Sequence, residues 1–323
     1  MPTFFDNTRI AQWQGIERRN QRTAFEVARN RHRLTPVDRH RIKPHGLDQL
    51  LAVNSRSRIN WGRAICGELA RFFCDDGDGT EHNQGILFVT LCDRQCVRSL
   101  ESLTQEDLSR IKDRLRYGLR GLHYFAVVEP ALYLNWKIAY QRDEKKQCVS
   151  WHLHGLVWGI SKSRMQKRLR ELRREGWYER LERGLRPTHV KVVQLGRLPR
   201  TVGYLLKSPI SAYRVSAVDW IRDGKSVVDK NGVVQRKFKQ TKSELRPGER
   251  LTLYFTMRHL YLDELALAGG EGRGLLAAAK RAARPPRTPS PGVPNCVYWR
   301  EFFSHRRGTS WSARPSHQDR SCK

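Results

Sequence analysis

The chain has 323 residues, with 61 Lys and Arg against 32 Asp and Glu and a net charge of +29. A hydrophobic fraction of 39% supports one moderate core but not a chain folded throughout. The basic excess calls for a polyanionic partner, most simply nucleic acid, with an anionic membrane surface as the rival. No apolar run is long enough to span a bilayer and no apolar signal segment follows Met1, so a cytoplasmic protein without membrane association is expected. The seven cysteines are odd in number and scattered, which argues against a disulfide framework. Cys92-x-x-x-Cys96 could open a zinc site, but no paired second half is visible, and free thiols are the expectation.

Residues 1–80 form a basic, partly helical region. FEVARNRHRL and LDQLLAV have the composition of short helices, divided by Pro36 and by Lys43-Pro44. Residues 61–75 show helical periodicity through Ile65, Leu69 and Phe72/Phe73. The acidic run Asp75–Gly79 ends that helix as a loop and lacks the ligand pattern of a calcium loop.

The apolar, β-branched ILFVTLC from Ile86 predicts a buried strand. A helix starts at Thr104 with Asp107, carries Leu108, Ile111, Leu115 and Leu119 on one stripe, and closes at Gly118 or Gly121. HYFAVVEP is a second strand, stopped by Pro130. A polar connection follows, and VSWHLHGLVWG, residues 149–159, is a third strand. The helix after Ser161 is strongly basic, with Arg164, Lys167 and Arg168 as candidate phosphate contacts. THVKVVQL is a fourth strand, and after Arg197, another candidate contact, LPRTVGYLLKS reads as a helix stopped by Pro209. The order β-α-β-β-α-β-α predicts an α+β fold. Its first six elements are the ferredoxin-like, RRM-like βαββαβ antiparallel sheet, with a tyrosine-bearing helix appended. Residues 213–268 read as an extension with a hairpin at Asn231-Gly232 and a helix over 250–270. From residue 269 to 323 the composition predicts a basic, disordered tail. Trp299, Phe302, Phe303 and Trp311 interrupt it as a candidate docking segment.

His152 and His154 are two apart on a strand, so their side chains leave one face. If the second and third strands form an antiparallel hairpin, Glu129 falls beside His152. Two imidazoles and a carboxylate make a facial ligand set with open positions, suited to a divalent cation. Tyr204 and Lys207 are three apart, one turn along a helix face. A lysine there can favour a phenolate or hold a phosphate, and a tyrosine facing a metal-polarised phosphodiester is a nucleophile in position.

The motifs ILFVTLC, VVEP, W-H-L-H-G and Y-L-L-K, in this order, resemble the HUH endonucleases, and within them the single-tyrosine rolling-circle replication initiators of bacterial plasmids and single-stranded DNA phages. The resemblance spans roughly residues 85–210 and implies an endonuclease domain over 81–212. It further implies Mg²⁺ or Mn²⁺ held by His152, His154 and Glu129. Tyr204 would attack single-stranded origin DNA to leave a 5′-phosphotyrosine and a free 3′-hydroxyl, assisted by Lys207. The first-strand motif departs from the family's pattern, because Leu91-Cys92 follows Thr90. Tyr213, nine residues from Tyr204, departs from the spacing of a two-tyrosine enzyme. Gly224-Lys225-Ser226 has Asp219 where a phosphate-binding loop needs glycine, so a separate helicase and the replication machinery are expected partners. A transposase or mobilisation relaxase of the same chemistry, and a non-catalytic single-stranded nucleic-acid-binding module, are the alternatives.

Overall fold

The computed structural model describes residues 34–42, 50–75, 85–100, 103–135, 147–181, 185–209 and 211–284. Helices α1 (Pro36–Ile42) and α2 (Ser55–Ala70) precede strand β1 (Ile86–Arg98). Helix α3 (Gln105–Arg116) leads to β2 (His123–Leu134), β3 (Gln147–Trp158), α4 (Lys162–Arg174), β4 (Thr188–Val193) and α5 (Leu198–Leu206). Beyond them lie β5 (Ser211–Asp219), β6 (Ile221–Arg222), β7 (Lys225–Ser226), β8 (Arg236–Glu244), α6 (Pro247–Met257), α7 (Leu262–Leu265), β9 (Ala266–Gly269) and α8 (Gly272–Ala283).

Side-chain caps set three helix starts. Asn54 accepts from the Ser57 N–H, Thr104 from Asp107 and Ser161 from Arg164, each satisfying an otherwise orphaned donor. Leu108, Ile111 and Leu115 of α3, and Met165, Leu169 and Leu172 of α4, are buried at helical spacing.

The strands run in the order β4-β1-β3-β2, with each neighbouring pair antiparallel. The far side of β2 is then shared. Strand β9 pairs antiparallel with Tyr124–Val127, and β5 pairs parallel with Leu132–Leu134. Strand β8 lies antiparallel on β5. The fold is α+β with a mixed sheet, not a purely antiparallel one.

Register divides the sheet into two faces. Val89 and Leu91 of β1 stand opposite Gly155 and Leu153 of β3. Asp93, beyond Leu91, accepts from Arg114 of α3 and from the Tyr178 N–H, both at 2.8 Å. The Tyr178 hydroxyl donates to the Leu115 carbonyl at 3.0 Å and accepts from the Gly118 N–H. Helices α3 and α4 therefore cover this face. On the other face Thr90, His154 and Val127 form one cross-strand row, and Cys92, His152 and Glu129 the next. Helix α5 packs near β2 and against α2, which also packs on α8.

Several expectations are corrected. Pro130 does not stop β2. It sits between the stretches paired to β9 and β5, where an N–H on that side would meet no strand. Pro36 opens α1. The helix at 61–75 begins earlier, at Ser55, and ends in a π-turn over Arg71–Asp75. The helix over 250–270 breaks into α6, α7 and β9. Gly269 lets β9 approach β2: a Cβ there would lie 2.3 Å from Tyr124 Cε1. The stretch after 269 opens with α8 rather than a disordered tail, and its Leu275, Ala279 and Ala283 are buried. FEVARNRHRL except Leu34, the acidic run Asp75–Gly79 except Asp75, the tract Arg142–Lys146 and the aromatic residues beyond 284 lie outside the described residues.

Candidate metal centre and tyrosine site

Strands β2 and β3 bring Glu129 directly opposite His152, with Val127 opposite His154. His152 Nε2 and His154 Nε2 are 3.1 Å apart. Glu129 Oε1 is 3.2 Å from the first and 3.1 Å from the second. This near-equilateral triangle matches one face of an octahedron, since ligands about 2.1 Å from a cation and at right angles lie about 3.0 Å apart. Among the described residues, this trio is the group of His, Cys, Asp and Glu whose ligand atoms converge closely enough to hold a metal ion.

The outer nitrogens are also engaged. Thr90 Oγ1 lies 2.9 Å from His154 Nδ1, and the Ser150 carbonyl oxygen is 3.4 Å from His152 Nδ1. Where each imidazole donates its Nδ1–H outward, both Nε2 lone pairs face the Glu129 carboxylate. Three acceptors this close require a cation or shared protons between them. Burial pushes the His154 imidazole down to about 4, against the pull of Glu129, which keeps it neutral and able to ligate near neutral pH. Burial alone would raise the Glu129 carboxyl. Lys207 above all, with the adjoining imidazoles, outweighs it and holds the group well below the carboxylate range.

Lys207 Nζ donates to both Glu129 oxygens, at 3.0 and 3.3 Å, and sits 3.9 Å from the centre of the Tyr204 ring. Helix α5 thus presents Tyr204 and Lys207 together. The Tyr204 ring stands edge-on to His154 at 5.4 Å and to Phe88 at 5.8 Å, and remains 38% exposed. The structure brings together Glu129, His152, His154, Tyr204 and Lys207. Arg197 is exposed at the entry to α5. Arg164, Lys167 and Arg168 are not brought to this site, because α4 packs on the opposite face of the sheet.

Two neighbours, Arg58 and Lys242, escaped the sequence reading, and two others, Tyr213 and Thr90, were named there without a place at the site. Arg58 is buried on α2 and donates to the carbonyls of Ala52 at 2.6 Å, Leu206 at 3.4 Å and Lys207 at 3.2 Å, which pins the end of α5. Burial lowers its guanidinium to about 10, opposed by Glu129. Lys242 of β8 lies 5.7 Å from the Tyr204 ring centre and lines a cavity with Glu129, His152, Tyr204 and Tyr213. Tyr213 stacks on Tyr133 at 5.1 Å, and burial, with Tyr204 and Glu129, pushes its phenol up. Thr90 was legible as a polar residue on an apolar strand. Arg58 and Lys242 had no signal among so many basic residues.

Among the described residues no cysteine joins this group. Cys66, Cys92, Cys96 and Cys148 are free thiols, and burial pushes those of Cys66, Cys92 and Cys96 up to about 12. No helix among the described residues is long and apolar enough to cross a membrane. No family model, no curated protein and no solved structure matches this chain.

Proposed function

We propose that this chain is a metal-dependent DNA strand transferase of the HUH type, a replication initiator that nicks and rejoins single-stranded origin DNA. One observation carries the reading: a facial His-His-Glu triangle has a tyrosine ring edge-on to one of its histidines and a lysine bridging its carboxylate to that ring. The strand order β4-β1-β3-β2, all antiparallel with α3 and α4 on one face, supports the ferredoxin-like reading.

His152, His154 and Glu129 would hold Mg²⁺ or Mn²⁺, whose chemistry there is to withdraw charge from a phosphodiester. Thr90 orients His154, and burial keeps that ring neutral. The Tyr204 hydroxyl oxygen attacks phosphorus, the bond from phosphorus to the 3′-oxygen breaks, and the phenolic proton is lost as the 3′-hydroxyl gains one. The products are a 5′-phosphotyrosine and a free 3′-end, and attack by that 3′-hydroxyl reverses the step. Lys207 keeps Glu129 ionised. Lys242 has no carboxylate within 4.0 Å among the described residues and is placed to meet the phosphate. A transposase or relaxase would use the same residues on different DNA.

A second reading, a non-catalytic single-strand binder, draws on Phe88 stacked on His154 at 5.2 Å beside the exposed Tyr204. The deciding experiment incubates the full chain with pooled single-stranded oligonucleotides and Mn²⁺. A covalent adduct that survives denaturation, disappears with a chelator and is absent in Tyr204→Phe is the expected result. Binding without any adduct would overturn the strand-transfer reading in favour of the binder.

A further inference from the structure

Strand β5 leaves the sheet where its pairing with β2 ends, at Arg214, and continues with β8 alone to the Asp219–Arg236 pair. At a rise of about 3.3 Å per residue, the part beyond Arg214 extends roughly 17 Å. Its tip is folded by backbone bonds between Trp220, Val227 and Gln235 and by the short β6–β7 hairpin. That hairpin turns at Asp223-Gly224, both with positive φ (50° and 77°), the mirror-image turn that suits twisted strands. From 216 to 244 no residue is buried. This segment is a formed ribbon with no core of its own.

Its charge is one-sided. In register, Ser216 faces Lys239 and Val218 faces Lys237, so two lysines share one ribbon face, with Lys225 and Lys230 at the tip. None of the four has a carboxylate within 4.0 Å among the described residues. Three of the segment's four acidic residues are occupied: Asp219 with Arg236 and Asp223 with Arg222 as loose pairs, both at 3.7 Å, and Asp229 in accepting from Asn231 and Val233. The fourth, Glu244, stands at the base of the ribbon opposite Ser211, far from its tip. The tip also exposes Ile221 (58%), Val228 (52%) and Val233 (61%). Lysines can serve only to guard a sheet edge, but an edge guard has no use for exposed isoleucine and valine.

We propose that this ribbon is a duplex-DNA arm. A two-stranded ribbon fits a major groove about 12 Å wide. Lys225, Lys230, Lys237 and Lys239 then meet the phosphates of the groove walls, and Ile221, Val228 and Val233 lie against base edges and thymine methyl groups. At its base the ribbon carries Tyr213 and Lys242 into the Tyr204 cavity. Duplex held by the arm would therefore adjoin the single strand at the site. The choice of DNA rests on the function proposed above, but the arm's binding is measured separately from the chemistry.

The test replaces Lys225, Lys230, Lys237 and Lys239 together with Ser in the full chain and measures binding by fluorescence anisotropy across a salt series. The probes are a single strand and the same strand extended by a duplex hairpin stem. The four positions are exposed or half-buried surface sites, and an unchanged thermal midpoint verifies folding. The arm predicts at least about a tenfold loss for the stem-bearing probe at low salt. The slope of its log–log salt plot should fall by about 3 to 4, with single-strand binding unchanged. Equal binding of the stem-bearing probe by both proteins overturns the arm, and so does an equal loss on both probes. Adduct formation run in parallel separates the two claims: loss of stem preference without any adduct retains the arm and rejects the chemistry.

Discussion

The central strands and the β5–β8 ribbon are built from the same hydrogen-bonding pattern to opposite ends. In β3, all residues from Cys148 to Trp158 are buried, where an unpartnered polar atom is costly. His152 and His154 have partners there, while Ser150 Oγ and Trp151 Nε1 have none among the described residues. In the ribbon, no residue from 216 to 244 is buried. Turns and ladder bonds shape it, and only its base is tied to the sheet, by Phe238 against the Tyr133–Val215 cluster and by the Tyr133 hydroxyl donating to Gln240. The difference teaches where rigidity is used. Ligand atoms held about 3.1 Å apart need a packed scaffold that fixes each rotamer. A surface that meets phosphates tolerates freedom.

Mutations should break that contrast unequally. The largest effect is expected from Glu129→Gln. It leaves the largely buried Lys207 without its counter-charge and replaces an anionic ligand with a neutral amide, so stability should fall by about 3 kcal/mol, and Mn²⁺ binding should weaken more than tenfold by calorimetry. Arg58→Met comes next. Three backbone carbonyls lose their donor, and the denaturant midpoint should drop by the equivalent of about 2–3 kcal/mol. Gly269→Ala forces a methyl group into Tyr124 at the β9–β2 contact, and a cost of about 1–3 kcal/mol is expected in the same measurement.

The smallest effect concerns Asp38 of α1. Burial would raise its carboxyl, but Thr35, Arg258 and Tyr254 hold it below its ordinary value of 3.8. A depressed carboxylate stabilises the fold above the unfolded value. That contribution fades as pH falls through 3.8 toward the lower folded value. Thermal melts of Asp38→Asn should therefore lose less stability than the native chain between about pH 4 and pH 2.

Much of the central sheet was legible because its signals are local. Alternation put His152 and His154 on one face, and the hairpin assumption put Glu129 opposite His152, which is the observed register. Thr104 and Asp107 marked a helix start that the structure also has. What could not be read depends on distant partners. Strand β9 is a short Ala-Leu-Ala-Gly stretch that joins the sheet only because β2 has an open edge there. Strand β5 has a parallel partner, and no local pattern announces one. Arg58 reaches the site across 149 residues of sequence to the Lys207 carbonyl. The basic helix α4 was read only as a source of phosphate contacts, and its buried stripe of Met165, Leu169 and Leu172 sets it on the face of the sheet away from the histidines.

The most direct test of the central claim is the covalent peptide itself. Trypsin separates Tyr204, in residues 201–207, from Tyr213, in residues 208–214. Mass spectrometry of an adduct made with Mn²⁺ and single-stranded DNA should find the nucleotide on the peptide TVGYLLK. A nucleotide on SPISAYR instead, with TVGYLLK unmodified, would contradict the assignment of Tyr204 as nucleophile.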